Sequence, residues 1–182
     1  MNAHRYEPGP LADASATHAD GQWTLVFPRE LHHSPQQVWD VLTNPDALRA
    51  WSPFDADRNL GAIGPVTLTM AGGAADDPDT VSDATVRIAD APRTLEYTWG
   101  HDLLHWDLAP TSNGTQLTLH HRVEGKEWLA KVAAGWHICL DIADAYLSGN
   151  HIGRIVGQDA MEYWTPLNAA YEQMFLSGAA GS

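Results

Sequence analysis

The chain has 182 residues, enough for one domain that buries roughly 70% of its unfolded surface, and its 44% hydrophobic and 18% charged content is that of a globular protein. A formal net charge of −13 argues against nucleic acid and anionic membrane surfaces as partners, since phosphate contacts need lysine and arginine to release counterions, and it favours solubility instead. No segment approaches the ~18 uninterrupted apolar residues of a membrane helix, and the start lacks the basic lead and apolar core of a signal peptide, so a soluble cytoplasmic protein without membrane insertion is expected.

Residues 1–20 are rich in Pro, Ala and Asp without periodicity and read as a flexible arm; residues 21–176 read as one domain. Residues 22–31 alternate and predict a first strand. Ser34 is a good N-cap, with Pro35 at the first helical position and Gln37 at the capping-box position. Val38, Trp39, Val41 and Leu42 then give a short helix one apolar face, and Asn44-Pro45 ends it. Residues 46–51 predict a second short helix. From Pro65 the period becomes two, with strands expected at 65–70, 80–89, 94–99, 103–108 and 115–123. Gly72-Gly73, the 90–93 and 100–102 stretches and residues 110–114 break them, which implies an antiparallel meander. Residues 127–147 predict a long helix, because Leu129, Val132, Trp136, Leu140, Ala143 and Leu147 recur at three- and four-residue steps. Cys139 is the single cysteine; it excludes an intramolecular disulfide, and its place in the helix suggests an inert buried thiol. Residues 158–175 carry a further helical pattern through Met161, Trp164, Leu167, Tyr171 and Phe175, where Pro166 should kink the helix or mark a fresh start.

A lone apolar helical stripe after a curved sheet must be buried, and a sheet that wraps it can leave a cavity between the two. The stretch from Ser34 to Pro45 followed by Leu48-Arg49-Ala50-Trp51 resembles the opening of the START-like (SRPBCC) superfamily. Residues 104–110 and 114–121, and Gly135-Trp136 with Leu140 and Leu147, resemble the branch named after the activator of the heat-shock-protein-90 ATPase. The resemblance covers about residues 22–175. It implies an α+β helix-grip fold: a curved antiparallel sheet wrapped around a long C-terminal helix, with two short helices after the first strand. It also implies a cavity that in relatives holds lipids, hormones, polyketides or other apolar molecules. In eukaryotic relatives the module accompanies a separate chaperone-binding domain, for which this length leaves no room.

Strand alternation nominates the cavity wall. Leu117, Leu119, His121 and Val123 share one face of the last strand; Leu104, Trp106 and Leu108, and Leu95, Tyr97 and Trp99, share faces of two others. The candidate ligand-binding residues are therefore Trp51, Tyr97, Trp99, Trp106, Leu119, His121, Trp136 and Leu140, an aromatic lining with few polar groups. Any one of these aromatics could equally fill a solid core, though for the group a hollow interior is the favoured expectation. An inward His121 needs a hydrogen-bond partner or costs about 1–3 kcal/mol, and it suits a structural, a ligand-recognition or an acid–base role.

His32-His33, His101 with His105, and His120-His121 lack chelating spacing, so neither metal nor cofactor is expected. No nucleophile elbow, phosphate loop or dinucleotide glycine motif is present. Gly72-Gly73 with Asp76-Asp77 reads as a strand-edge loop. The leading expectation is a protein that binds a small hydrophobic molecule. The alternatives are an enzyme of the polyketide cyclase, dehydratase or hydrolase kind using His121 and Tyr97, and an interaction module, as a chaperone partner or homodimer, using an apolar patch of Trp164, Tyr171 and Phe175.

Overall fold

The structure is a computed structural model and describes residues 6–73 and 77–179; the expected loop role of Asp76 lies outside them. Eight strands form one antiparallel sheet: β1 (Ser15–Ala19), β2 (Gln22–Leu31), β3 (Phe54–Ala56), β4 (Gly64–Met70), β5 (Val81–Asp90), β6 (Thr94–Trp99), β7 (Asp102–Thr111) and β8 (Gly114–Val123). Their spatial order is β1-β2-β8-β7-β6-β5-β4-β3. Helices α1 (Pro35–Thr43) and α2 (Pro45–Trp51) carry the chain from β2, beside one edge, to β3 at the other. The long α3 (Leu129–Leu147) follows β8, and α4 (Gln158–Ala179) packs on α3. This is the helix-grip arrangement. No helix among the described residues is long and apolar enough to cross a membrane.

Local chemistry explains the start of the helical crossover. The Ser34 side chain accepts the Gln37 amide, and the Gln37 side chain accepts the Ser34 amide at 3.1 Å, a reciprocal cap that uses two otherwise unsatisfied donors. Asn44 ends α1 and starts α2, its Oδ1 accepting the Asp46 amide at 2.8 Å. Ser34→Ala is expected to lower stability by about 1 kcal/mol in urea unfolding, with Ser34→Asp close to the parent.

On the sheet, period two sorts the faces. In β8 the residues Thr115, Leu117, Leu119, His121 and Val123 are buried while their neighbours are half-buried. Cross-strand rows extend this across the concave side: Phe27, Leu119, Trp106 and Leu95 form one row, and Leu25, His121, Leu104 and Tyr97 the next. These rows meet α3. The expected α3 stripe holds for Leu129, Trp136, Leu140 and Ala143, but Val132 and Leu147 are only half-buried.

Three features differ from expectation. The stretch read as a flexible arm is tied down wherever it is described: β1 pairs along β2, Tyr6 is buried, and the Gly9 amide and Tyr6 hydroxyl both reach Asp141. The Asp20-Gly21 turn that joins β1 to β2 has positive φ at both residues, 53° and 75°, the requirement of a tight type I′ hairpin. Second, α3 is buried on two sides, so Ala130, Ala134 and His137 are enclosed as well. Third, of the two outcomes expected at Pro166 the fresh start does not occur, and α4 runs on as one helix. Its side chains turn inward: Tyr171 has no exposed surface, Leu167 is buried, and the Trp164 indole donates to the Lys131 carbonyl at 3.1 Å. The patch proposed for Trp164, Tyr171 and Phe175 is thus largely spent on α3, because α3 had a second apolar side to cover.

Candidate functional site

His121 sits at 1% exposure on the inner face of β8, and its two ring nitrogens have different partners. The Trp136 indole N–H donates to Nδ1 at 2.9 Å. An indole nitrogen can only donate, so Nδ1 must be the acceptor and the proton of the neutral ring resides on Nε2. Nε2 in turn lies 2.7 Å from Asp102 Oδ2, to which it donates. The buried imidazole is therefore fully partnered and fixed in one tautomer, with Trp136 from α3 on one side and a carboxylate at the start of β7 on the other.

Aromatic rings surround this line. Trp106 meets Trp136 edge to face with centroids 5.3 Å apart, and Trp99 lies 6.3 Å from both Trp136 and His121. Phe54 of β3 caps Trp99 at 5.0 Å and Tyr97 at 6.0 Å. The Trp106 indole donates to the Tyr97 hydroxyl at 3.3 Å. Burial pushes that hydroxyl above its ordinary range, only partly offset by the bond from Trp106, so Tyr97 stays protonated at any working pH.

The expected site residues separate into two groups. Leu119 and Trp106 have no surface that even a water molecule could reach, and Tyr97, Trp136, Leu140 and Trp51 have 3% or less. A water-sized void beside Leu119 or Trp106 would show as reachable surface on them, so side chains fill the centre there. Trp51 is committed locally, its indole donating to the Val41 carbonyl at 2.9 Å. Trp99 and His121 instead reach a pocket of about 330 Å³ at the end of the grip, where β6, β7 and β8 diverge from the start of α3. Trp128 and Val132 supply its apolar helical wall, and His101, Asp102 and Glu124 its polar rim. Reading the sequence missed Asp102, Glu124 and Trp128, which lie in or beside connecting segments. Val132 belonged to the α3 stripe, and its half-burial marks where the stripe runs out from under the sheet.

A second polar cluster was not foreseen. The Tyr171 hydroxyl accepts the Ala12 amide at 3.0 Å and shares a hydrogen bond of 2.8 Å with His137 Nδ1. His137 Nε2 faces Asp141 Oδ2 at 3.3 Å, off the line of a good hydrogen bond. Asp141 also receives Tyr6 at 2.8 Å, the Gly9 amide at 3.0 Å and the Arg29 guanidinium at 2.5 Å. Burial acts to raise the Asp141 carboxyl, but the nearby His137 ring, the bonds from the Gly9 amide and Tyr6 hydroxyl and the Arg29 charge hold it well below the usual carboxylate range. Burial pushes Tyr171 up to about 12. The cluster locks the amino-terminal segment to α3 and α4.

Other groupings lack the geometry for chemistry. His33 Nε2 lies 3.3 Å from both Ser148 Oγ and Asp144 Oδ1; one nitrogen facing both groups cannot relay a proton as a serine–histidine–aspartate triad does. On the outer face His105 bridges Glu96 at 2.7 Å and Asp107 at 3.2 Å. Among the described residues, no three His, Cys, Asp or Glu side chains converge as metal ligands. The Cys139 thiol is pushed up to about 12 by burial and is a poor nucleophile.

Comparison with known proteins agrees with this architecture. No curated protein matches the chain. Among solved structures, it is similar to CalU16 from Micromonospora echinospora, with 16% identity over 88% of this chain and 94% of that one and a TM-score of 0.63. It is similar to a conserved protein of unknown function from Enterococcus faecalis, with 18% identity over 88% of each chain and a TM-score of 0.67. It is also similar to the AHSA1-like protein from Aeromonas hydrophila, with 19% identity over 71% of this chain and 94% of that one and a TM-score of 0.55. The model of the family described as "Activator of Hsp90 ATPase homolog 1-like protein" matches residues 32–148, from the approach to α1 to just past the end of α3. The chain therefore belongs to the activator of Hsp90 ATPase homolog 1-like family, within the START-like (SRPBCC) superfamily.

Proposed function

We propose that this protein binds a small, mainly apolar molecule at the open end of the grip, between Trp99 and His121 of the sheet and Trp128 and Val132 at the start of α3. The observation that carries this reading is the pocket of about 330 Å³ at that place, within the roughly 300–1,000 Å³ of small-molecule sites. Its walls are Trp99, Trp128 and Val132, and of the four polar residues around them Asp102 and His121 are held by their mutual hydrogen bond. Burial of apolar surface supplies affinity, and the Asp102 carboxylate, fixed by His121, orients the ligand. Trp136, packed against Trp99 and His121, supports the site without lining it, and Trp106, Leu119 and Leu140 belong to the filled core.

An acid–base enzyme finds less support, since both nitrogens of His121 are engaged and burial keeps the Tyr97 hydroxyl protonated. The test is thermal unfolding with a neutral probe, 1-naphthol. At a hundredfold excess over its dissociation constant, a ligand of the folded state adds about 2.7 kcal/mol, a Tm rise of about 5–10 °C for a chain of this size. Val132→Trp, which fills the pocket from a half-buried position, is expected to remove the rise. An unchanged parent Tm, or an equal rise in Val132→Trp, rejects the site.

A further inference from the structure

We propose a second site, beside the first: a groove between the start of α3 and the end of α4 that takes a free, single-chain amphiphile with a carboxylate head. The groove measures about 550 Å³, with Leu129, Ala130, Phe175 and Leu176 as its apolar surface and Lys126 and Lys131 at its border. Leu176 is 61% exposed, a large apolar side chain left open on this wall.

The lysines decide the ligand's charge. They are the only two in 182 residues, and both border this one groove. The chain carries 23 acidic residues, yet among the described residues neither lysine forms an ion pair. Instead Lys126 lies over the Trp23 ring at 5.5 Å and Lys131 over the Trp128 ring at 4.8 Å. Two ammonium groups on aromatic supports, with no carboxylate partner beside an apolar surface, complement an anionic head and a greasy tail. Glu127 and Glu172 also border the groove and disfavour a polyanionic head, so a single carboxylate fits best.

The tail has room to continue. A pocket of about 300 Å³ shares Lys126, Leu129 and Phe175 with the groove and runs on toward Ala14 of the amino-terminal segment and Met174. The amino-terminal segment and α4 lie outside residues 32–148 that match the family; α4 supplies one wall of the groove and the start of α3 the other. The net charge of −13 repels an anionic bilayer, which favours a free molecule over one still in a membrane.

The experiment uses the full chain at about 0.15 M salt, where long-range attraction is screened, with its lysines reductively dimethylated by isotope-labelled formaldehyde so that each gives one NMR signal. Decanoate, decan-1-ol and decyltrimethylammonium are titrated below their micelle concentrations. Decanoate is expected to move both lysine signals and to bind about tenfold or more tighter than the alcohol, as one charge-assisted contact allows. In unlabelled protein the pair Lys126→Gln and Lys131→Gln should lower decanoate affinity to that of the alcohol, and Lys→Arg at both should retain it. Equal binding of all three probes, unmoved lysine signals, or decanoate affinity unchanged in the Gln pair overturns the site. Loss of decanoate binding in Val132→Trp places the ligand in the first pocket and also overturns it. Co-sedimentation with phosphatidylcholine–phosphatidylglycerol vesicles without decanoate binding overturns the free-ligand assignment.

Discussion

Asp141→Ala is expected to cost about 3–5 kcal/mol, the range for removing one partner of a buried ion pair, measured as a fall in the urea midpoint. The Asp141 side chain is 8% exposed and gathers groups from the amino-terminal segment (Tyr6, Gly9), β2 (Arg29) and its own helix (His137). Its loss leaves the Arg29 guanidinium, itself 19% exposed, without its closest counter-charge and frees residues 6–9 from α3. Asp141→Asn keeps the shape and one acceptor and should cost less. The pH dependence follows from the direction of the shift. A carboxyl held below its ordinary value contributes its full stabilisation above the unfolded value of about 3.9 and loses it as the pH falls from there toward the folded value. The parent midpoint should therefore drop steeply below about pH 4, and Asp141→Asn should flatten that slope. A loss under about 1 kcal/mol in Asp141→Ala, with an unchanged acid limb, would mean that the amino-terminal segment is held by the β1–β2 pairing alone.

The elements with strong periodicity were legible in the residues. Six strands and all four α-helices fall within a few residues of where alternation, caps and breakers put them, and the Ser34–Gln37 cap is formed as its spacing requires. The misses share a physical cause. β1 is Ser-Ala-Thr-His-Ala on the sheet edge, mostly exposed, so it has no apolar alternation to read. Its one signal was Asp20-Gly21, a hairpin dipeptide that directly precedes the first periodic strand. β3 is three residues long, too short for any period. The second buried side of α3 escaped because Ala130, Ala134 and His137 are small or polar, and only α4 makes them interior. Within the candidate site, Trp99 and His121 followed from alternation, whereas Asp102 and Glu124 flank connections that have no period. Whether Trp106 and Trp136 line a hollow or fill one is decided by side-chain volumes summed across neighbouring strands and α3, and no single strand encodes that sum.

Trp136→Ala tests that last point and should cost about 3–5 kcal/mol or more. Trp136 is 3% exposed, packs edge to face on Trp106 at 5.3 Å and supplies the proton that His121 Nδ1 accepts at 2.9 Å. Alanine removes the packed indole and leaves a buried imidazole nitrogen unpaired. Trp136→Phe removes only the donor and part of the bulk, so it should cost far less. The space opened in Trp136→Ala adjoins the pocket at Trp99 and Val132, which offers an outside molecule a path to it. Indole matches the lost side chain in shape and in its N–H. At tenfold excess over its dissociation constant it would return about 1.4 kcal/mol, a Tm gain of about 3–5 °C. N-methylindole fills the same volume without the donor, so a smaller gain with it assigns the difference to the bond with His121. Equal gains would make packing the whole effect. No gain from either would mean that Trp106 and Leu140 close over the gap, and that the grip keeps a filled centre whichever side chain α3 presents to it.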